Sequence, residues 1–250
     1  MDGTLSVSSE GDYQLYLDGV TITGSDGPAL NLESSQKAFI VTASGTTNVL
    51  TDSATRTTMT MKAALYGKGP MVFSGEGTLI VTGSYKHGIF SKDYIRVRSG
   101  ELDVAVSAKD AVRSVNGFIF DDGDLTINAT GTVTDDESKG IKVEGSEDDD
   151  GADRGYVVIN GGYLYCASSD NDAIDSNGPL TISGGVIVAI GAGSPEGAFD
   201  CDNNTFAVTG GTLVGIGGAT STPTTNASTQ NVVILGSGTK DSTISLMADD

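Results

Sequence analysis

The sequence predicts an all-β, right-handed parallel β-helix, a solenoid of about 23 residues per turn with three parallel sheets, and three observations predict it. A glycine-led apolar block recurs along the chain at nearly constant spacing. Two further apolar blocks accompany it in each repeat. The composition belongs to strands and turns: 35 Gly, 5 Pro, no Trp, abundant Val, Ile, Thr, Ser, Asn and Asp, and no window with apolar residues at helical spacing.

The glycine-led block reads Gly77-Thr-Leu-Ile-Val81, Gly100-Glu-Leu-Asp-Val104, Gly123-Asp-Leu-Thr-Ile127, Gly162-Tyr-Leu-Tyr-Cys166, Gly185-Val-Ile-Val-Ala189 and Gly211-Thr-Leu-Val-Gly215. The glycines are 23, 23, 39, 23 and 26 residues apart. The long interval is one period plus a 16-residue insertion, which the acidic stretch around Ser146 to Asp153 accounts for. Five residues before each of the last five glycines lies a second block, Ile95, Phe118, Val157, Leu180 and Phe206, followed two residues later by Val97, Phe120, Ile159, Ile182 and Val208. A third series, Ile89, Val112, Ile141, Ile174 and Phe199, precedes it. Each block alternates with period two, so three strands per turn stack in register around a shared interior. Propeller blades need about twice this length, and horseshoe repeats need a helix or a Leu/Asn signature. Parallel stacking sets each residue about 4.8 Å from its counterpart, so chemistry must be sought in columns.

The chain reads as one domain, 1–250. Residues 12–61 form N-terminal turns, as in Leu15-Tyr-Leu-Asp-Gly-Val-Thr-Ile22 and Phe39-Ile-Val41, and residues 62–215 are the core repeats. Residues 219–231 are a Thr, Ser and Asn-rich loop before a final strand at Val232 to Leu235. Both ends read as trimmed, with caps and any targeting signal removed. No apolar run reaches membrane-spanning length. Cys166 shares an inward column with Val81, Val104, Ile127 and Ala189, whereas Cys201 shares one with Ser91, Ser114 and Ser176. They lie on different walls, which favours two buried thiols over a disulfide.

A formal charge of −19 sets the protein against nucleic acid and anionic membranes as partners. It also supplies oxygen ligands for calcium. The sharpest acidic cluster is Asp170, Asp172 and Asp175 in one turn with Glu196, Asp200 and Asp202 in the next. Asp175 and Asp200 share an outward column, so two carboxylates stand one ladder spacing apart and call for a cation that accepts six to eight oxygens. The competing explanation is that Asp fills turns because it bonds its own backbone. A second acidic run, Asp135-Asp-Glu137 with Glu147 to Asp153, lacks the EF-hand spacing and reads as a solvated loop. Lys86, His87, Lys92, Arg96, Arg98, Lys109 and Arg113 gather within 28 positions. Arg96 and Arg98 point outward, and with Lys92 and Arg113 they suit carboxylate-bearing sugars, or else offset acids on neighbouring turns. Tyr163 and Tyr165 project outward beside Val186, Val188 and Val214, a strip that fits the apolar face of a pyranose or is covered by the chain after Gly218 or by a partner. His87 is the only histidine, and no nucleophile elbow or phosphate loop occurs.

Several blocks resemble, in order, a bacterial family of carbohydrate-binding β-helix proteins: Lys62-Ala-Ala-Leu-Tyr-Gly-Lys-Gly69, Gly75-Glu-Gly-Thr-Leu-Ile-Val-Thr-Gly83, His87-Gly-Ile-Phe-Ser-Lys-Asp93, Asn171-Asp-Ala-Ile-Asp-Ser-Asn-Gly178 and Ile182-Ser-Gly-Gly185. The recurrent turn, Asp-Gly-Ile in that family, is matched by Asp110-Ala-Val112 and Asp172-Ala-Ile174, with His87 and Lys139 in place of the acid elsewhere. The resemblance implies a secreted or cell-surface protein with a pectate-lyase-like fold that binds calcium and plant-type polysaccharides, acidic sugars and cellulose-like glycans included. The expected function is therefore extracellular polysaccharide binding with structural calcium, by a binding module more than by an enzyme. Two alternatives come from other classes: a calcium-dependent lyase with Arg113 or Lys92 as base, and a structural adhesion module.

Overall fold

Alternating apolar residues with glycine corners leave the chain one way to bury its side chains, by coiling so that each short strand lies on its counterpart. A computed structural model of the chain describes residues 1–57, 60–131, 137–145, 155–238 and 243. Among these, 24 strands form three eight-stranded sheets in which the neighbours pair in parallel. The first wall runs from Leu5–Val7 to Phe199–Asp200, the second from Tyr13–Leu17 to Phe206–Val208, and the third from Thr21–Gly24 to Thr212–Ile216. The result is a solenoid of eight turns of roughly 25 residues, slightly more than the 23 expected.

The columns fall as the spacing predicts: Ile89, Val112, Ile141, Ile174 and Phe199 pair in succession, as do Ile95, Phe118, Val157, Leu180 and Phe206. One continuous apolar core runs inside them from Leu17 to Val208. Both cysteines are free and buried, Cys166 on the third wall and Cys201 beside the first. No helix long and apolar enough to cross a membrane occurs among the described residues.

Three expectations change. The 16 extra residues do not sit in one insertion: the step from Val106 to Val112 is six residues but from Ala129 to Ile141 twelve, and the step from Ser114 to Phe118 is four but from Val143 to Val157 fourteen. The excess thus flanks the strand Ile141–Val143 on both sides, because corners lengthen freely while stacked strands cannot. Turns also begin before residue 12, with Leu5–Val7 in the first wall and Met1 donating its ammonium to the Thr21 carbonyl at 2.8 Å. Finally, Val232 to Leu235 forms no strand and stands exposed, while residues 221–229 line the end of the first two walls.

Candidate functional site

The outward residues of the third wall form long columns. Along Glu101–Val106, Leu102, Val104 and Val106 face the core while Glu101, Asp103 and Ala105 face out. Register carries one outward column through Thr78, Glu101, Asp124, Tyr163, Val186 and Thr212, and the next through Ile80, Asp103, Thr126, Tyr165, Val188 and Val214. On the far side of the second column, toward the outward Ala105 and Asn128, lies an open groove of about 200 Å³ lined by Ile80, Asp103, Val104, Ala105, Thr126 and Asn128. Burial, then the charges of Glu101 and Asp124, push the Asp103 carboxyl above its usual range. Tyr163, 39% exposed, and the half-buried Tyr165 stand one rung further on, directly over Asp124 and Thr126. Among the described residues, the chain after Gly218 does not cover this strip; it turns across the first and second walls, bonding Phe199, Phe206 and Val208.

The basic residues do not assemble into one face. Arg96 and Arg98 point outward from the second wall, and Arg96 donates to Asp121 at 2.6 Å. Arg113 lies on the first wall, held between Asp110 and Glu144 at 2.5 Å each, and Lys92 is exposed at a corner. Each of the paired cations is already neutralised where it stands.

Asp175 and Asp200 are placed as the columns predict, and several carboxylates of the cluster have partners within the protein. Asp175 and Asp200 are register partners. On its other side Asp175 meets Lys142, a register partner that donates at 2.8 Å, and Lys139 at 3.5 Å. Asp172 accepts the Gly197 N–H at 2.7 Å, and burial first, then its acidic neighbours, push its carboxyl up to about 7. Asp110 likewise accepts the Lys139 N–H at 3.1 Å, so the acid of the Asp-Ala-Val/Ile turn ties its corner to the next rung. Asp200 accepts from the Asp202 N–H and the Ser221 hydroxyl. Asp170 and Asp202 are exposed, and Glu196 is half-buried, its carbonyl holding Ala219. Among the described residues, no group of three or more His, Cys, Asp or Glu is arranged to hold a metal ion. Of the second acidic run, Asp135, Asp136 and Glu147 to Asp153 lie outside the described residues, and Glu137 pairs with Lys139.

Two features escaped the sequence reading. Lys142 was within reach, since aligning Ile141 with Ile174 sets it beside Asp175. The groove at Asp103 had no signal, because small and polar side chains leave a depression only through the bulk of their neighbours.

A carbohydrate-binding domain-containing protein of Acetivibrio thermocellus is 28% identical over 105 residues, 40% of this chain and 37% of that protein. The match therefore spans little more than a third of the relative's length. The polysaccharide lyase-like protein from C. thermocellum, solved as a gadolinium derivative, superimposes with a TM-score of 0.57 at 20% identity, covering 90% of this chain and 89% of that one, which shows a shared fold. Residues 1–242 match the pattern of carbohydrate-binding domain-containing proteins over nearly the whole chain, and the protein belongs to that family.

Proposed function

We propose that the protein binds a neutral, cellulose-like polysaccharide along the third wall. The observation that carries this is the outward placement of Tyr163 and Tyr165 in register with Asp124, Thr126 and the groove at Asp103. A pyranose has an apolar face that stacks on a phenol ring and a rim of hydroxyls that donate to carboxylates and amides. The columns supply both, side by side and in repeat. Family membership supports a carbohydrate ligand, and an extracellular or cell-surface setting follows from a polysaccharide partner. Acidic sugars fit less well, because the groove is acidic and Arg96 and Arg113 are engaged.

Structural calcium at Asp170, Asp172, Asp175, Glu196, Asp200 and Asp202 is a separate proposal, and the placement of these carboxylates offers it no ready cage. Its test is the melting temperature of calcium-loaded protein before and after chelation; an unchanged value rejects it. A lyase has no comparable support, since Arg113 is locked between two acids.

The test of the main proposal is retention on insoluble cellulose. Changing Tyr163 and Tyr165 together to Ala should weaken binding on the order of tenfold, from two lost stacking contacts of about 0.5–1.5 kcal/mol each. Both rings face outward, so circular dichroism should stay the same. Undiminished retention by the double variant sinks the third-wall site.

A further inference from the structure

The last strand of the third wall, Thr212–Ile216, pairs with Val186–Ile190 on one side and with no strand on the other among the described residues. At the same end, the first two walls are covered: Ser221 donates to Phe199, Thr224 to Phe206 and Thr229 to Val208 at 2.7–3.0 Å. Thr229 thereby takes the next place in a column already formed by Arg98, Asp121, Asn160, Ser183 and Thr209, each of which donates its N–H to the rung before. In all five of those rungs the third wall resumes three residues later, at Glu101, Asp124, Tyr163, Val186 and Thr212. Three residues after Thr229 comes Val232, the start of an apolar run, Val232 to Leu235, that is 47–69% exposed.

We propose that Val232 to Leu235 adds to the open edge of Thr212–Ile216 as a ninth parallel strand of the third wall. The corner fixes the register: Val232 beside Thr212, Val233 beside Leu213, Ile234 beside Val214 and Leu235 beside Gly215. Val233 and Leu235 then turn inward over the half-covered Leu213, and Ile234 continues the outward column of Tyr165, Val188 and Val214. A second observation marks the place. In the rungs from Asp124 onward, the first residue of the third-wall strand donates its N–H to a glycine carbonyl one rung before, Asp124 to Gly100, Tyr163 to Gly123, Val186 to Gly162 and Thr212 to Gly185, at 2.9 Å. The next carbonyl in that series, Gly211, is taken by the Gln230 side-chain amide at 2.6 Å, a substitute for the Val232 N–H.

The corner also explains why the edge stands open. Gly100, Gly123, Gly162, Gly185 and Gly211 hold φ between +72° and +106° at this position, and Asn231 stands there in the ninth turn. Asn reaches positive φ more readily than other side chains, but a Cβ at the five equivalent glycines would lie 2.4–3.1 Å from the rung before, so the same corner leaves little room for a side chain. Burial of Val233 and Leu235 favours closure and the Asn231 corner opposes it. The proposal stands whatever the wall binds.

Cysteine pairs test it in the full chain. Register partners in adjacent parallel strands lie about 4.8 Å apart, within disulfide range, whereas an inward and an outward residue point apart. Under mild oxidation, Val214→Cys with Ile234→Cys should form an intramolecular disulfide, seen on non-reducing gels and by peptide mapping. The yield should exceed that of Val214→Cys with Val233→Cys severalfold, and adding Asn231→Gly should raise it. Equal yields from the two pairs describe a loose tail and overturn the proposal. So do absence of the disulfide and its appearance only in dimers, which would assign the edge to a second copy.

Discussion

His87 shows how one side chain acquires a role from its column. It is 3% exposed, lies flat against Phe90 with ring centroids 5.6 Å apart, and its Nδ1 sits 3.5 Å from Asp110 with no hydrogen bond. Burial first, then the charges of Arg113, Lys109 and Lys86, hold its pKa well below the usual 6.5. The folded protein therefore keeps His87 neutral where the unfolded chain protonates it. A depressed folded pKa gives stability that is present above pH 6.5 and is lost as pH falls toward the folded value. Asp172 acts in the opposite sense: raised from 3.8 to about 7, its contribution is full below about pH 4 and fades as pH rises through 7. The two overlap, so the parent and a variant must be compared at the same pH values. His87→Gln should narrow the drop in melting temperature between pH 7.5 and 5.5, leaving Asp172 as it was. An equal drop in both proteins would show that His87 does not carry the acid sensitivity.

At the level of strands and corners, the sequence exposes whatever repeats with period two and hides whatever depends on loop length. Ile89 to Phe199, Ile95 to Phe206 and the Cys166 column were legible because a stacked parallel strand admits one register. The split of the extra residues around Ile141–Val143 was not, since spacing totals do not say on which side of a strand a loop grows. Register alone sets Lys142 beside Asp175, but the approach of Lys139 to the same carboxylate was not legible, since it comes from the corner before the strand. Val232 to Leu235 has the pattern of a strand yet stands off the sheet edge in this structure, because pattern reports that a strand is available and the corner before it decides whether it pairs. The corners themselves make a sharp prediction. Gly123 has φ +106°, and a Cβ there would lie 2.4 Å from the Gly100 carbonyl, whereas one on Gly11 meets no atom within 4 Å. Gly123→Ala should cost more than about 1 kcal/mol in urea unfolding, from strain at positive φ and the lost close approach, while Gly11→Ala stays within about 0.5 kcal/mol. Equal effects would mean that the rungs separate enough at this corner to admit a side chain.

For the molecule as a whole, the question is whether a charge of −19 steers the ligand or merely surrounds it. The exposed cations among the described residues, Lys62, Lys68, Lys92 and Arg98, are scattered, while Glu101, Asp103 and Asp124 crowd the third wall beside the tyrosines. A polyuronate approaching that wall meets like charge, which screening weakens but does not reverse. A neutral glucan meets no such barrier, and its stacking and hydroxyl contacts carry no net charge to screen. Retention on cellulose should therefore hold steady from about 0.05 to 0.5 M salt, while polygalacturonate in chelator should not retain the protein at either concentration. Adding calcium to the second matrix distinguishes a further route, since an ion bridging carboxylates on both partners restores retention without involving Tyr163 or Tyr165. Two outcomes count against the third wall. Retention on polygalacturonate at low salt that disappears in Arg96→Ala with Arg98→Ala would move the site to the second wall and to acidic sugars. Failure to bind either glycan, with or without calcium, would make the solenoid an adhesion module whose faces serve other proteins.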